Sequence, residues 1–370
     1  MQFPRSIEAL LKELIAIPSV SPEGDAGGTT PGESAMADYV AELLRALGAD
    51  VRIQEVTPGR ANVIGCFAAR NRQAPTLALV PHLDTVGVAG MTVPPFRPHV
   101  RNGKIYGRGA CDTKGPMAAA LWALRQRSRR HTGTATDYNI IFAATCGEEE
   151  LSLGAKALCE DGFAADFAIA LEPTDMRIVH AAKGVLRVWI ETVGRAAHGS
   201  TPEQGRNAVF EMLPFLSACR EKLAPNFATH RHPILGTASL NVGLITGGNE
   251  LNVVPARCRV GLDIRTHPLF DNASALASVA AAAPFAKVQV HRAGPPFVVE
   301  RRNVWLRKLS EHANGFAAAP WFSDANVLNN HGIPSVAFGP GSISQAHTAD
   351  EFIEIAQLKT GARTLEAFLH

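Results

Sequence analysis

The chain has 370 residues, 46% of them hydrophobic, and a formal net charge of +2. That length is enough for a large core and more than one domain, and so small a charge gives no general attraction to nucleic acid or anionic membranes, which favours a small-molecule partner. No apolar run approaches the roughly 18 to 20 residues that span a bilayer, and six cysteines without a C-x-x-C pair favour reduced thiols in the cytoplasm over disulfides.

The first 180 residues alternate helix and strand patterns. The N-terminal "MQFPRSIEALLKELIAI" predicts an amphipathic helix and not a signal peptide, and the Gly/Pro/Ser-rich "SPEGDAGGTTPGES" predicts a surface loop before a second helix. Short apolar runs then alternate with helix patterns, which is typical of an α/β domain with a mixed, mostly parallel sheet flanked by helices. The basic "LRQRSRRHTG" is interpreted as the solvated C-terminal end of one helix and not as a nucleic-acid site.

The order of the patterns changes between residues 181 and 293. This stretch runs through the strand-like "VLRVWIETVG", a helix opened by Pro202, the strands "TASLNVGLITGG" and "ARCRVGLDIRT", the Ala-rich helix "NASALASVAAAA" and the strand "AKVQVHRA". Such a β-α-β-β-α-β order predicts a ferredoxin-like α+β domain. Because α/β patterns resume from 294 to 370, we expect this domain to be inserted into an α/β domain made of residues 1–180 and 294–370.

Charged side chains follow each predicted strand of the α/β part, and another lies in the glycine-rich turn "YGRGACDTKGP". In chain order they are His82, Asp84, Asp112, Glu148, Glu149, Glu172 and His347. In parallel open sheets the ligand crevice lies beyond the carboxyl ends of the strands. We therefore expect these side chains to converge on one site although they are far apart in the sequence.

The residue types in this set indicate a metal site. Imidazoles and carboxylates together are preferred by zinc and similar divalent ions, whereas calcium would take oxygen ligands alone. The set exceeds the three protein ligands of a single catalytic zinc, and two ions sharing one carboxylate would neutralise it. In the adjacent pair Glu148 and Glu149, one residue could bind metal while the other transfers a proton. Singly, a histidine, an acidic run or an acid before a helix is more often structural, so the prediction rests on their joint occurrence.

The sequence lacks the motifs of several other sites. "GRGACDTKG" lacks the third glycine of the dinucleotide fingerprint and the spacing of a phosphate loop, and neither G-x-S-x-G nor H-E-x-x-H occurs. Two alternatives stay open. One is a metal-independent cysteine hydrolase that uses Cys111 or Cys146 with a nearby histidine, and the other is a binding protein that kept the fold and lost the chemistry.

Six motifs, in order along nearly the whole chain, resemble the dinuclear zinc exopeptidase and deacylase family that includes acetylornithine deacetylase, succinyl-diaminopimelate desuccinylase and glutamate carboxypeptidase. They are "PHLDTV", "YGRGACDTKG", "TCGEEE", "ALEPTD", "GRAAHGSTPEQGRNAV" and "GPGSISQAHTADEFIE". The resemblance implies two divalent metal ions, with zinc expected and cobalt or manganese as alternatives. By this resemblance, His82 and Glu172 would bind one ion, Glu149 and His347 would bind the other, and Asp112 would bridge them. Glu148 would be the general base. Asp84 would be the carboxylate that orients His82.

For the inserted domain, the resemblance implies homodimerisation and three further site residues. His198, in "AAHGS", would reach the active site of the partner protomer and stabilise the tetrahedral oxyanion; without the resemblance it would be an ordinary surface histidine. Asn252 and Arg265 would contact the substrate. Arg265 could bind a substrate carboxylate through two hydrogen bonds, or it could simply carry a surface charge.

The implied reaction is hydrolysis of a linear amide in a small molecule. A metal-bridging water would attack the scissile carbonyl, and Glu148 would accept its proton and then protonate the leaving amine. The run "SISQAH" between a GPG turn and an acidic pair resembles acetylornithine deacetylase most, which implies conversion of N-acetylornithine to ornithine and acetate. Desuccinylation of succinyl-diaminopimelate and a di- or tripeptidase or carboxypeptidase activity are the alternatives, because pocket shape is not visible in the sequence.

Overall fold

The structure, a computed structural model, describes residues 2–22, 32–71, 73–130 and 138–370. Most of the predicted surface loop at 21–34, and the end of the basic stretch at 131–133, lie outside the described residues. The chain divides into two units. The first unit comprises Met1–His180, Val299–Ala317 and Ser323–His370, and the second unit comprises Ala181–Val298 and Ala318–Phe322.

The helices and strands are named in chain order. The chain begins with α1 (Ile7–Ala16), α2 (Ser34–Ala46), β1 (Asp50–Thr57), β2 (Arg60–Phe67), β3 (Thr76–Val80), β4 (His99–Arg101), β5 (Lys104–Tyr106), α3 (Lys114–Arg130), β6 (Asn139–Ala144), α4 (Glu148–Leu151), α5 (Leu153–Glu160), β7 (Phe167–Ala170) and β8 (Ile178–Ala182). It continues with β9 (Gly184–Val193), α6 (Ala208–Ala218), α7 (Ala224–Thr229), β10 (Arg231–His232), β11 (Gly236–Thr237), β12 (Ser239–Gly247), β13 (Arg257–Thr266), α8 (Asn272–Ala282), β14 (Lys287–Gly294) and β15 (Phe297–Val298). It ends with α9 (Val304–Ser310), β16 (Phe316–Ala319), α10 (Asp324–Asn330), β17 (Ser335–Ala337), β18 (Phe352–Glu354) and α11 (Ile355–Phe368). Within the described ranges, none of these helices has the length and apolar character needed to cross a membrane.

The first unit is built on a central sheet in which seven strands lie in the order β1-β2-β6-β3-β7-β17-β8, and β15 and β16 both pair with β8. The inner strands β6, β3, β7 and β17 run parallel, and the outer strands pair antiparallel. Residues 77–80 of β3 and all of β7 are buried, which explains why these strands are short apolar runs without alternation. Around the sheet, α2 packs on β1 and β2, and α10 packs on β7 and β17. The predicted α/β class with its mixed sheet flanked by helices is confirmed.

A separate three-stranded antiparallel sheet has the order β18-β5-β4. It pairs Phe352 with Tyr106 and Glu354 with Lys104. The Tyr106 ring packs against the Phe352 ring with centroids 5.3 Å apart. As a result, the chain that enters β18 lies beside the chain that leaves β5. The first of these stretches carries His347 and the second carries Asp112.

The second unit contains a four-stranded antiparallel sheet with the order β12-β13-β9-β14. In chain order these strands alternate with helices as β9, α6 with its continuation into α7, β12, β13, α8 and β14. Side chains of β9 and β13 alternate between buried and partly exposed, and the buried set packs with helix residues such as Phe215 and Val279 into one core. This is the predicted ferredoxin-like arrangement, and the fold of this region is as the β-α-β-β-α-β order predicts.

The second unit extends beyond the stretch 181–293 that the sequence patterns delimit. It includes β15, because Phe297 pairs with Ala182. It also includes Ala318–Phe322: the Phe322 ring lies against the backbone of Gly294, where a Cβ would come within 2.1 Å of the ring. Arg292 lies over the same ring, with its guanidinium carbon 5.1 Å from the centroid. These contacts are tertiary, so the periodicity of the sequence does not show them.

Candidate metal centre

Pairing between β3 and β6 continues past the ends of both strands and aligns the residues that follow them. The amide of Leu83 donates to the carbonyl of Thr145 at 2.7 Å, and the amide of Thr145 donates to the carbonyl of Pro81 at 2.9 Å. His82 therefore lies opposite Thr145 in a parallel bridge. The acidic run that begins at Glu148 leaves the sheet at the same edge as His82, as expected for adjacent parallel strands.

Asp112 lies at the centre of the candidate site, with one imidazole near each of its oxygens. His82 Nε2 is 3.0 Å from Asp112 Oδ1, and His347 Nε2 is 3.4 Å from Asp112 Oδ2. His347 Nε2 is also 3.1 Å from Glu149 Oε2. Donor atoms of His82, Asp112 and Glu149 all lie within 4.8 Å of one another. Side chains from four separate parts of the first unit thus meet at one point, as the sequence predicts.

Glu172, which follows β7, belongs to the same buried cluster. Burial and the charge of Asp112 raise the pKa of Glu172 well above its usual value, and the charge of Glu148 adds to this effect. Burial and Asp112 likewise raise the pKa of Glu149. Carboxylates crowded in this way need positive charge nearby.

The pKa values of the two imidazoles are raised as well, which for a histidine favours the charged form. Hydrogen bonds to Asp112 and Glu149 raise the pKa of His347 to about 10. Burial opposes protonation of His82, but hydrogen bonds to Asp112 and Asp84 outweigh it and raise the pKa of His82 well above its usual value. The site therefore attracts cations strongly, whether these are protons or metal ions that replace them. This excess of carboxylates over imidazoles, together with the burial of the cluster, fits divalent metal ions of the zinc type.

Asp84 contacts both His82 and the acidic run. The carbonyl oxygen of Asp84 is 3.0 Å from His82 Nδ1, and its carboxylate Oδ1 is 3.5 Å from the same nitrogen. The carboxylate accepts hydrogen bonds from the amides of Glu148 and Glu149 at 3.0 and 3.1 Å. Asp84 is therefore placed for two tasks. The first is to orient His82, which the sequence pattern indicates, and the second is to hold the backbone of Glu148 and Glu149, which it does not.

The turn that carries Glu148 and Glu149 is held by further side chains that the sequence patterns do not identify. Asn62 Oδ1 accepts from the amide of Cys146 at 3.0 Å, and Glu33 Oε1 accepts from the amide of Gly147 at 2.7 Å. The Glu33 carboxylate also accepts from Nε of Arg60. With Asp84, these groups satisfy four successive amides, from 146 to 149. In the sequence, Glu33 is an acid just before a helix and Asn62 is one polar residue in a strand, and such positions are common at sites without function.

The two cysteines of the alternative mechanism are poorly suited to nucleophilic attack. Cys146 is fully buried, and burial raises the pKa of its thiol to about 12. The Cys111 thiol, also buried, donates to the carbonyl of Ser342 at 3.3 Å, and burial raises its pKa well above the usual value. Reactive cysteines are exposed thiolates with lowered pKa values. The structure therefore favours the metal site over a cysteine hydrolase.

His198, Asn252 and Arg265 lie in the second unit. His198 and Asn252 are close to each other, because the amide of Gly199 donates to the carbonyl of Asn252 at 2.7 Å. Both side chains are exposed. His198 Nδ1 accepts from the amide of Ser200 at 3.1 Å, so the neutral ring carries its proton on Nε2. Arg265 lies on β13, and its Nε and Nη2 donate to the carboxylate of Asp263 at 2.7 and 3.2 Å.

Comparison with known proteins shows which family the chain is similar to. The profile of peptidase family M20/M25/M40 matches residues 78–370. The chain is 31% identical over 383 residues to acetylornithine deacetylase of Proteus mirabilis (strain HI4320), covering 96% of this chain and 94% of that one. It is 27% identical over 368 residues to a probable succinyl-diaminopimelate desuccinylase of Staphylococcus epidermidis (strain ATCC 35984), covering 87% and 88%. Among solved structures, a tripeptidase from Staphylococcus aureus subsp. aureus Mu50 superposes with a TM-score of 0.77 at 25% identity, covering 98% of this chain and 96% of that one.

The chain therefore belongs to peptidase family M20/M25/M40. It is a metal-dependent hydrolase that acts on amide bonds, which is the coarser part of the function that the motifs imply.

Proposed function

We propose that the protein removes the N-acyl group from a small amino acid, with N-acetylornithine as substrate and ornithine and acetate as products. The proposal rests on the buried cluster of His82, Asp112 and Glu149, which His347 and Glu172 join beyond the ends of the parallel strands. Similarity to the Proteus mirabilis acetylornithine deacetylase and the motif "GPGSISQAH" support the acetyl substrate. The reaction would then belong to arginine biosynthesis in the cytoplasm.

Two other amide substrates are supported by specific similarities. The Staphylococcus epidermidis relative is named a probable succinyl-diaminopimelate desuccinylase, and the Staphylococcus aureus structure is named a tripeptidase. Succinyl-diaminopimelate and small peptides are therefore the alternatives to N-acetylornithine. All three substrates contain a linear amide that the same site could hydrolyse.

Two divalent ions fit the donor set, with zinc preferred and cobalt or manganese as alternatives. His82 and Glu172 would hold one ion, and Glu149 and His347 would hold the other. Asp112 would be shared, because its two oxygens already face different imidazoles. When bound, such ions supply Lewis-acid polarisation of the amide carbonyl and make water a strong nucleophile at neutral pH.

Glu148 is proposed to move the proton. Its side chain is buried at the start of α4, beside Glu149, and close enough to Glu172 to raise the pKa of that residue. A carboxylate in this place can accept a proton from the attacking water and return it to the leaving amine. Asp84 would keep Glu148 in position by accepting from its amide, and would orient His82 at the same time.

The second unit is proposed to mediate homodimerisation. Strand β12 lies at one edge of its four-stranded sheet, and Leu244 and Ile245 on this strand are 59% and 54% exposed. Helix α6 exposes Phe210 and Leu213 in the same unit. An exposed apolar edge strand readily pairs with another chain. A second copy that pairs β12 with β12 would cover this edge and extend the sheet across the dimer.

His198 is proposed to serve the active site of the partner protomer, where its Nε2–H would donate to the developing oxyanion. We expect His198→Ala to lose about 10²- to 10³-fold in kcat. Mixing it with Glu148→Gln should restore up to about a quarter of wild-type activity, since half of the exchanged dimers are mixed and each holds one complete site. The measurement is activity after subunit exchange, with exchange confirmed by differential tagging.

The matched control is a mixture of His198→Ala with the double variant His198→Ala/Glu148→Gln, which holds no complete site and should stay inactive. Absence of recovery in the first mixture, despite proven exchange, would contradict action across the interface.

Asn252 and Arg265 are proposed to contact the substrate. Asn252 lies next to His198, so both could reach the same bound molecule. Arg265 would bind the substrate carboxylate through N–H groups other than the two that donate to Asp263.

The substrate proposal is tested with metal-free and metal-restored protein on three substrates. N-acetylornithine, N-succinyl-diaminopimelate and a set of dipeptides are assayed at equal protein and metal concentrations. We expect the highest kcat/KM for N-acetylornithine, and activity only after metal is restored. A higher kcat/KM for either alternative would replace the substrate assignment, and activity that survives exhaustive chelation would contradict the metal mechanism.

A further inference from the structure

A buried carboxylate outside the predicted ligand set connects the two chain segments that carry Asp112 and His347. Glu351 is 0% exposed and lies directly before β18. Because β18 pairs with β5, Glu351 lies beside the turn 107–112 that leads from β5 towards α3. The same residue follows His347 closely in the sequence. Its position therefore places it between two proposed metal ligands that are far apart along the chain.

Both oxygens of Glu351 accept hydrogen bonds from this turn. Oε1 accepts from the amides of Cys111 and Asp112 at 2.8 and 3.0 Å, and Oε2 accepts from the amide of Gly109 at 2.9 Å. Nη1 of Arg108 donates to Oε2 at 2.8 Å and supplies the countercharge. Charge-assisted hydrogen bonds of this kind are short and directional. Together they fix the backbone from which the Asp112 side chain departs.

Backbone contacts hold the His347 segment against the same turn. The amide of Gly107 donates to the carbonyl of Glu351 at 3.1 Å. His347 itself has a φ of 62°, a left-handed conformation that a non-glycine residue keeps only when its surroundings hold it. A shift between the two segments would change the 3.4 Å separation of Asp112 Oδ2 and His347 Nε2.

We propose that Glu351 is a positioning residue of the metal centre, which fixes Asp112 relative to His347 so that both can bind metal ions at once. The inference rests on the proposed function, because it requires metal at these two residues. Groups that orient metal ligands typically change metal affinity by about 10- to 100-fold when they are removed. Glu351 acts through Asp112 and is assigned no contact with substrate.

The test compares Glu351→Gln with Arg108→Gln in the full-length protein. Both variants remove the ion pair between these residues. Only Glu351→Gln also replaces an acceptor oxygen with an NH2 group, which faces backbone amides that need an acceptor. We expect the affinity for Zn²⁺, measured by competition with a chromophoric chelator, to fall about 10- to 100-fold in Glu351→Gln and much less in Arg108→Gln. The visible absorption spectrum of the Co²⁺-loaded protein should likewise change more in Glu351→Gln than in Arg108→Gln.

Equal losses of Zn²⁺ affinity in the two variants would overturn the proposal, because Glu351 would then act only through its ion pair. Unchanged affinity in folded Glu351→Gln would also overturn it. If that variant does not fold, Glu351→Asp keeps the charge but withdraws the oxygens from the amides, and unchanged Zn²⁺ affinity there would overturn the proposal equally. Failure of the proposed function would give a different result. The wild-type protein would then bind no Zn²⁺, or its Zn²⁺ binding would be unchanged in His82→Ala.

Discussion

Glu148→Gln is expected to lower kcat for amide hydrolysis by about 10²- to 10⁴-fold, the usual contribution of general acid–base assistance. Metal content should stay close to that of the wild type. The physical reason is that Glu148 and Glu149 have different roles. Glu149 lies 3.1 Å from His347, whereas the neighbouring carboxylate of Glu148 is proposed to transfer the proton. Glutamine keeps the shape of the side chain but cannot accept this proton. The measurement is steady-state kinetics with metal per chain determined on the same preparation.

The matched control is Glu150→Gln, which removes the next acid of the same run and should leave kcat within a few-fold of wild type. This control also tests whether the acids from Glu148 to Glu150 act only as solvated charges. In that case Glu148→Gln and Glu150→Gln would have similar effects on kcat. Near-normal turnover of fully metallated Glu148→Gln would show that another group is the base.

The fold and the meeting of the ligands could be predicted from the sequence because both follow from general rules of parallel sheets. Strands β3, β6 and β7 are apolar runs, and the residues after them leave the sheet at one edge. His82, Glu149 and Glu172 are therefore brought together by topology, whatever the details of packing. The β-α-β-β-α-β order likewise predicts the second unit, because short connections and strand pairing allow few arrangements of these elements.

The residues that hold the backbone around the metal ligands could not be predicted, because they accept hydrogen bonds from amides that are far from them in the sequence. Glu33 accepts from the amide of Gly147, and Glu351 accepts from the amide of Asp112. The local sequence of Glu33 is that of an ordinary surface acid. Glu351 lies in the motif "GPGSISQAHTADEFIE", but the motif does not show which amides its carboxylate accepts from. The second task of Asp84 is hidden for the same reason, since its contacts with the amides of Glu148 and Glu149 depend on how the turn is folded.

His82→Ala is expected to lose metal and, with it, activity to below about 1% of wild type, since the ions contribute several kcal/mol of transition-state stabilisation. His82 is 3% exposed and its Nε2 lies 3.0 Å from Asp112, so its loss removes a donor from the centre of the cluster. Asp84→Ala should lose less metal, about 10- to 100-fold in affinity, because Asp84 orients a ligand and is not itself proposed to bind an ion. It should also lower kcat at saturating metal, since the amide of Glu148 loses its acceptor. Equal metal loss in both variants would contradict this division of roles.

The cluster around His82 and Asp112 is proposed to be the metal centre at which the amide is hydrolysed. The most direct test measures metal per chain and acetate release from N-acetylornithine on the same preparations of wild type and His82→Ala. We expect two ions per chain and full activity in the wild type, with metal and activity lost together in the variant. A His82→Ala protein that keeps both its metal and its activity would contradict it.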